Sequence, residues 1–240
     1  MEEECKVLQL DERRTNKIIG KGAYGCVKEV FALCAAKEVH STLLDTCGQE
    51  GLAALKEKFL HECIQCSRLY HPNIVQFLGI YYPSKYVKLP WLVMEKMRCS
   101  LFQYLEQHKK DDVSFQDRMS ILHDISHGLQ YLHVQDIIHR DLSSNNILLT
   151  NQLVAKIGDL GVAKVIDPLH TKKDTQVPGT PHFMPPEALS VNQTYGKPVD
   201  VFSLGCVMIH TVTRVWPTPK DETHVDKTTR KKLAHSEIER

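Results

Sequence analysis

The sequence has no apolar run long enough to cross a bilayer. Its best stretch, Val201 to Ile209, is less than half of the roughly 20 residues that a spanning helix needs. There is no surplus of charge of either sign: 30 Lys and Arg stand against 29 Asp and Glu, a formal net charge of +1. No global field therefore points to nucleic acid or to membrane insertion. Neither an internal repeat nor a low-complexity tract is present, which excludes repeat architectures. The start, Met1-Glu2-Glu3-Glu4, lacks the basic residues and apolar stretch of a secretory signal. Cysteine occurs eight times but is scattered, without the density of a disulfide scaffold, which implies reduced thiols and a cytoplasmic setting. What is present is ordinary for a globular chain: 240 residues, 42% hydrophobic and 25% charged. That composition argues against disorder and suits one domain or two small lobes sharing a cleft.

The first half reads as strand-rich with one helix. Ile18-Ile19 leads into a glycine-rich turn, and Cys26 to Val30 and Ala32 to Val39 carry the small and branched side chains of strands. Leu52, Leu55, Phe59, Cys63 and Cys66 recur at spacings of three and four, the signature of an amphipathic helix. His71-Pro72-Asn73 ends it, because the residue before a proline resists helix. Ile74 to Tyr81 and Trp91 to Met97 read as two further strands. The second half is helical, with a composition shift near Arg98 to Ser100. Ser100 is a candidate N-cap for a helix over Leu101 to Gln107. Leu122, Ile125, Leu129 and Leu132 mark a longer helix, and Ile147 to Leu149 with Val154 to Ile157 form a short hairpin. A polar loop runs from Lys164 to Pro186, and Val199 to Val212 reads as a buried helix.

Three groups of residues carry chemistry. Gly20-Lys21-Gly22-Ala23-Tyr24-Gly25-Cys26-Val27 has the pattern G-x-G-x-x-G-x-V, in which glycines let backbone amides approach phosphate oxygens. A dinucleotide-binding turn would need a helix to open inside the motif, whereas a strand follows here. Lys37 lies in the apolar stretch Ala35-Ala36-Lys37-Glu38-Val39 and needs a counter-charge if buried; Glu62, on the amphipathic helix, is suited to supply it. The third group is His139-Arg140-Asp141-Leu142-Ser143-Ser144-Asn145-Asn146, followed by Asp159-Leu160-Gly161. A hairpin turning around Asn151-Gln152 brings Asn146 and Asp159 together at its open end, with Asp141 a short loop away. Three oxygen-bearing side chains then converge, and hard oxygen ligands suit Mg²⁺.

With these motifs in order, the chain from about Thr15 to Val212 resembles the protein kinase family, and within it the tyrosine-kinase-like Ser/Thr kinases. The resemblance implies an α+β bilobal fold with a small antiparallel-sheet lobe carrying one helix, and a mostly helical second lobe. It implies an extension over 1–14, the first lobe and hinge over 15–97, an incomplete second lobe over 98–216 and a polar tail over 217–240. It implies an enzyme that uses ATP and Mg²⁺ to phosphorylate Ser/Thr hydroxyls of protein substrates under control of an activation loop. By this likeness Gly20 to Val27 is the lid over ATP, Lys37 the lysine on the α- and β-phosphates, and Glu62 its partner. Asp141 is the catalytic aspartate, and Asn146 and Asp159 are the metal ligands. Met94 is similar to a gatekeeper, and Glu95-Lys96-Met97 to a hinge whose backbone, at Glu95 and Met97, bonds adenine. Ile19, Val27, Ala35 and Leu148 are the corresponding apolar walls. Thr171 and Thr175 lie in the activation segment, with Thr175 the preferred phosphate acceptor and Arg140 its counter-charge.

The chain departs from the family at three places. Leu160 replaces the usual Phe after the metal-binding Asp, and Ser143 replaces the Lys that Ser/Thr kinases place two residues after the catalytic Asp. Gly179-Thr180-Pro181 nonetheless resembles the Ser/Thr type. The third is the end: the second lobe is expected to continue past the helix at Asp200, leaving Glu187 without its arginine. Two rival readings stand beside this one. A nucleotide-binding scaffold without turnover usually lacks Lys37, Asp141 or Asp159, and all three are present. A zinc hydrolase would use His123 and His127, four apart on one helix face, but no third ligand is evident. Cys63 and Cys66 form a lone C-x-x-C that reads as packing.

Overall fold

Alternating small and branched residues make three successive strands: β1 (Lys17–Lys21), β2 (Gly25–Phe31) and β3 (Cys34–Val39). The computed structural model describes residues 17–21, 25–31, 34–39, 49–82, 89–161, 163–165, 179–189 and 196–217. Its backbone groups into two compact units that divide between Met97 and Arg98. The amphipathic segment of the first unit forms α1 (Gln49–Ser67), and β4 (Phe77–Tyr81) and β5 (Trp91–Glu95) complete an antiparallel sheet in the order β1-β2-β3-β5-β4. The predicted strand at Ile74 starts later. The Ile74 N–H donates to the His71 carbonyl at 3.1 Å, so this residue belongs to the turn imposed by Pro72. Phe59 and Cys63 of α1 bury against Phe77, Ile80 and Leu92 on one sheet face. Ala36, Tyr81 and Val93 pack on the other, as the two-residue period of a strand requires.

In the second unit Ser100 caps α2 (Leu101–Gln107) through a reciprocal box. Its Oγ accepts the Gln103 N–H at 3.1 Å, and its own N–H donates to Gln103 Oε1 at 3.0 Å. Next comes α3 (Phe115–Val134), capped by Ser114 and burying Ile121, Leu122, Ile125, Leu129 and Leu132. Short strands follow: β6 (Cys99–Ser100) pairs with β8 (Ile147–Leu149), β8 with β9 (Ala155–Ile157), and β7 (Ile137–Ile138) with β10 (Lys164–Val165). Ile147 stands opposite Ile157. The hairpin is tied to α3 by the Ala155 N–H, which donates to Asp124 Oδ2 at 2.9 Å.

Two expectations need correction. The polar loop that was to run as far as Pro186 ends in two 3₁₀ turns, Pro181–Phe183 and Pro186–Leu189, and Pro181 to Met184 are buried. Turns this short have no periodicity to read. The helix predicted over Val199 to Val212 forms as α4 (Pro198–Thr213), but it is not buried all round. Val199, Cys206 and Val207 face inward, whereas Val201, Phe202, Ile209 and Val212 are exposed among the described residues. Hydropathy alone does not tell which side neighbours cover; here α3 and the Pro181–Phe183 turn cover one side. Among the described residues no helix is long and apolar enough to cross a membrane.

Candidate functional site

Register decides which side chains of the first sheet meet. Val27 stands opposite Lys37, and Ala35 opposite Met94, so these four share one face. That is the face on which α1 packs, since Met94 lies against the cluster of Phe59 and Leu92. Lys37 Nζ donates to Glu62 Oε1 of α1 at 2.9 Å, with side chains 23% and 12% exposed. The counter-charge expected from sequence is therefore in place. Ala35 is buried, and Ile19 and Val27 are half-buried. Gly20 pairs with Val27 and Lys21 with Cys26, so the strands on either side of the glycine motif are antiparallel neighbours; Gly22, Ala23 and Tyr24 lie outside the described residues. Glu95 is pinned at the end of β5: its N–H donates to the Gln76 carbonyl at 3.0 Å, and its Oε1 accepts the Gln76 N–H at 2.8 Å. Met97, past the strand end, is half-buried.

In the second unit the loop from His139 to Asn146 joins β7 to β8. His139 is wholly buried; its Nε2 donates to the Gly158 carbonyl at 2.9 Å, and its Nδ1 accepts the Asp141 N–H at 3.2 Å. Asp200, at the start of α4, holds the other side of the loop. Its Oδ2 accepts the His139 N–H at 2.8 Å and meets His133 Nε2 at 2.9 Å; its Oδ1 accepts the Arg140 N–H at 2.9 Å. Arg140 (φ 67°) and Asp159 (φ 54°) both lie in the left-handed region, a cost that persists only where surrounding contacts over-determine the conformation. The anchoring by Asp200 escaped the sequence reading, which saw only a helix start; a short acid in a first helical turn was the available signal.

Asp141 receives two donors. Thr180 Oγ1 donates to its Oδ1 at 2.8 Å, and Asn146 Nδ2 to its Oδ2 at 2.9 Å and to its carbonyl at 2.7 Å. Burial pushes the Asp141 carboxyl pKa up and nearby Asp159 adds to the rise, while Thr180, His139 and Asn146 oppose it. Gly179 lets Thr180 come so close: it has φ 109°, and a Cβ there would lie 2.7 Å from the Arg140 carbonyl oxygen. The Gly158 N–H donates to the Asn146 carbonyl at 2.9 Å, which draws Asp159 toward Asn146 at the open end of the hairpin. Leu148 is half-buried between wholly buried Ile147 and Leu149.

The donor set fits a hard cation. Asn146 spends its amide nitrogen on Asp141, which leaves the carboxamide oxygen for a ligand, and Asp159 offers a carboxylate. Mg²⁺ is commonly held by one or two such oxygens plus substrate phosphates. Among the described residues no group of three or more His, Cys, Asp and Glu is placed to hold a metal. His123 and His127 have ring centroids 4.1 Å apart but are exposed, with no third ligand among the described residues. Cys63 is buried and Cys66 half-buried within α1, consistent with packing. Glu187 is exposed, so no buried carboxylate awaits a partner there. Thr171 and Thr175 lie outside the described residues.

A family model described as the protein kinase domain matches residues 13–239. Among curated proteins, serine/threonine-protein kinase PLK4 of Drosophila virilis is 32% identical over 200 residues, covering 83% of this chain and 25% of its own length. The probable serine/threonine-protein kinase kinX of Dictyostelium discoideum is 33% identical, covering 84% of this chain and 18% of its own. The serine/threonine/tyrosine-protein kinase HT1 of Arabidopsis thaliana is 33% identical over 183 residues, covering 76% of this chain and 45% of its own. The chain thus spans about a quarter of the length of the PLK4 relative.

Proposed function

We propose, from the premise that the chain belongs to the protein kinase family, that it transfers the γ-phosphate of ATP to Ser or Thr hydroxyls of protein substrates. The observation that carries the reading is Asp141: one carboxylate oxygen is held by Thr180 and the other by Asn146, with burial raising its affinity for a proton. A carboxylate so placed orients an acceptor hydroxyl and takes its proton. Bound Mg²⁺ and ATP supply the phosphoryl group and neutralise its charge, and Asn146 and Asp159 would hold the metal. Lys37, fixed by Glu62, would hold the α- and β-phosphates. Ile19, Val27, Ala35 and Leu148 would wall the adenine, Glu95 and Met97 would bond it through the backbone, and Gly20 to Val27 would cover the phosphates. Catalysis then rests on positioning and charge compensation, without a covalent intermediate.

The acceptor class follows from Thr180, whose hydroxyl sits on Asp141, and from the Ser/Thr kinases the chain resembles; the name of the Arabidopsis relative includes tyrosine, which makes the acceptor a measured outcome below. Activation-segment control is part of the proposal: phosphate on Thr171 or Thr175 pairs with Arg140 and orders the segment. The test is phosphate transfer from radiolabelled ATP and Mg²⁺ to Ser, Thr and Tyr peptide libraries by the 240-residue chain, with Asp141→Asn beside it. Transfer to Ser or Thr, lost in the variant, supports the reading. Nucleotide binding without transfer supports the scaffold reading, and preference for Tyr overturns the acceptor class.

A further inference from the structure

The loop that carries Asp141 is anchored from its backbone by Asp200, but it also has a side-chain anchor that the proposed chemistry does not use. Ser144, midway between Asp141 and Asn146, is wholly buried. Its Oγ lies 2.7 Å from His210 Nδ1 on α4, and its carbonyl accepts the Phe102 N–H of α2 at 2.9 Å. Next to it, Ser143 Oγ is buried with no hydrogen-bond partner. In this stretch of loop the polar side-chain attachment to the helices therefore falls to Ser144.

We propose that His210 is a positioning residue for phosphoryl transfer, acting through Ser144 to fix the loop that presents Asp141 and Asn146. The inference rests on the kinase reading. His210 is 1% exposed, and its ring is boxed by aromatics. It stacks on Trp216 at 5.1 Å and 25° and on Phe102 at 6.2 Å and 26°, and meets Phe183 edge-on at 6.2 Å and 71°. The box fixes the direction of Nδ1. Burial lowers the basicity of His210, which favours the neutral ring, and one hydrogen, carried by Nδ1 or by the Ser144 hydroxyl according to the tautomer, bridges the pair. From Ser144 the path to the chemistry is one turn long. The Asn146 and Ile147 N–H groups both donate to the Ser143 carbonyl, at 3.0 and 3.2 Å, and the Asn146 amide clamps Asp141. A hydrolytic Ser–His pair is a poor alternative, because a wholly buried hydroxyl reaches no substrate.

The experiment uses the full chain with Ser144→Ala, His210→Phe, which fills the aromatic box but forms no hydrogen bond, and His210→Asn, which places a carboxamide able to donate or accept near Nδ1 but leaves the box underfilled. Loss of one such hydrogen bond should lower kcat about tenfold in Ser144→Ala and His210→Phe, with KM for ATP within about twofold. The double variant Ser144→Ala/His210→Phe should be no slower than either single. His210→Asn should melt lowest yet keep most of its kcat. Amide hydrogen exchange between Asp141 and Asn146 should quicken in step with kcat, not with Tm. If kcat instead tracks Tm across the set, or Ser144→Ala changes neither kcat nor exchange, the proposal is overturned. Should the His210 variants fail to fold, Ser144→Ala alone decides. Should the unmodified chain transfer no phosphate, the kinase reading fails, and exchange in Ser144→Ala still judges the anchor.

Discussion

Asp141 sits between opposing influences: burial favours its protonated form, and two hydrogen bonds favour the carboxylate. The roles proposed for it and for Asp159 separate in kinetics. Asp141→Asn should keep nucleotide affinity within about threefold and lower kcat by two or more orders of magnitude, as loss of a positioned base does. Asp159→Asn should instead weaken Mg²⁺-dependent nucleotide binding; titration with a fluorescent nucleotide and single-turnover transfer distinguish the two. Gly179 gives a prediction independent of nucleotide. With φ 109° and the Arg140 carbonyl 2.7 Å from a hypothetical Cβ, Gly179→Ala combines backbone strain with a clash and should destabilise by about 2 kcal/mol or more in urea unfolding. Sequence reasoning paired Lys37 with Glu62 and brought Asp141 near Asn146, two contacts the structure contains, because their residue types and spacing are chemically specific. It did not locate the clamp by Asp200 or the attachment of Ser144 to His210. Their partners lie 60 or more residues away, and a polar residue in an apolar helix carries no record of what it faces.

At the level of elements, legibility follows periodicity. The helix over Leu101 to Gln107 was read to its ends, since Ser100 marks its start and forms the expected cap. The 3₁₀ turns after Thr180 were read as loop, since three or four residues hold no period. Ser100→Ala should cost about 1 kcal/mol by removing the acceptor for the Gln103 N–H. The two sides of α4 should respond differently to substitution. Val207 is fully buried and Ile209 is 53% exposed. Val207→Ala should therefore cost about 2 kcal/mol through lost burial and a residual cavity. Ile209→Lys should stay within about 0.5 kcal/mol. Equal costs would mean that the exposed side of α4 is covered in solution.

For the whole molecule, stability should respond to acid through His210. Its folded pKa lies below the ordinary 6.5, chiefly through burial; Arg214 adds to the lowering and Glu106 opposes it. Below about pH 6.5 the unfolded chain therefore binds a proton that the folded chain resists, and stability falls as pH drops. Asp141 acts with the opposite sign: its raised folded pKa means the folded chain holds the extra proton above the ordinary 3.8, which favours the folded state as pH falls. The difference between the unmodified chain and His210→Phe isolates the histidine. Its contribution to Tm should decline between pH 7 and 5 in the unmodified chain and vanish in the variant.

The β8–β9 hairpin has a consequence for the order of assembly. Its strands are three residues each, too short to persist alone in water. Closing the turn between them takes on the order of 10–100 ns for a loop of about ten residues, so encounter of the strands is fast and their lifetime is the constraint. That lifetime is set by docking on α3, where Asp124 receives the Ala155 N–H. Asn146 and Asp159, at the open end, are thus brought together only once a helix whose Asp124 lies 31 residues before Ala155 has formed and docked, and the pair arrives as a late product of folding.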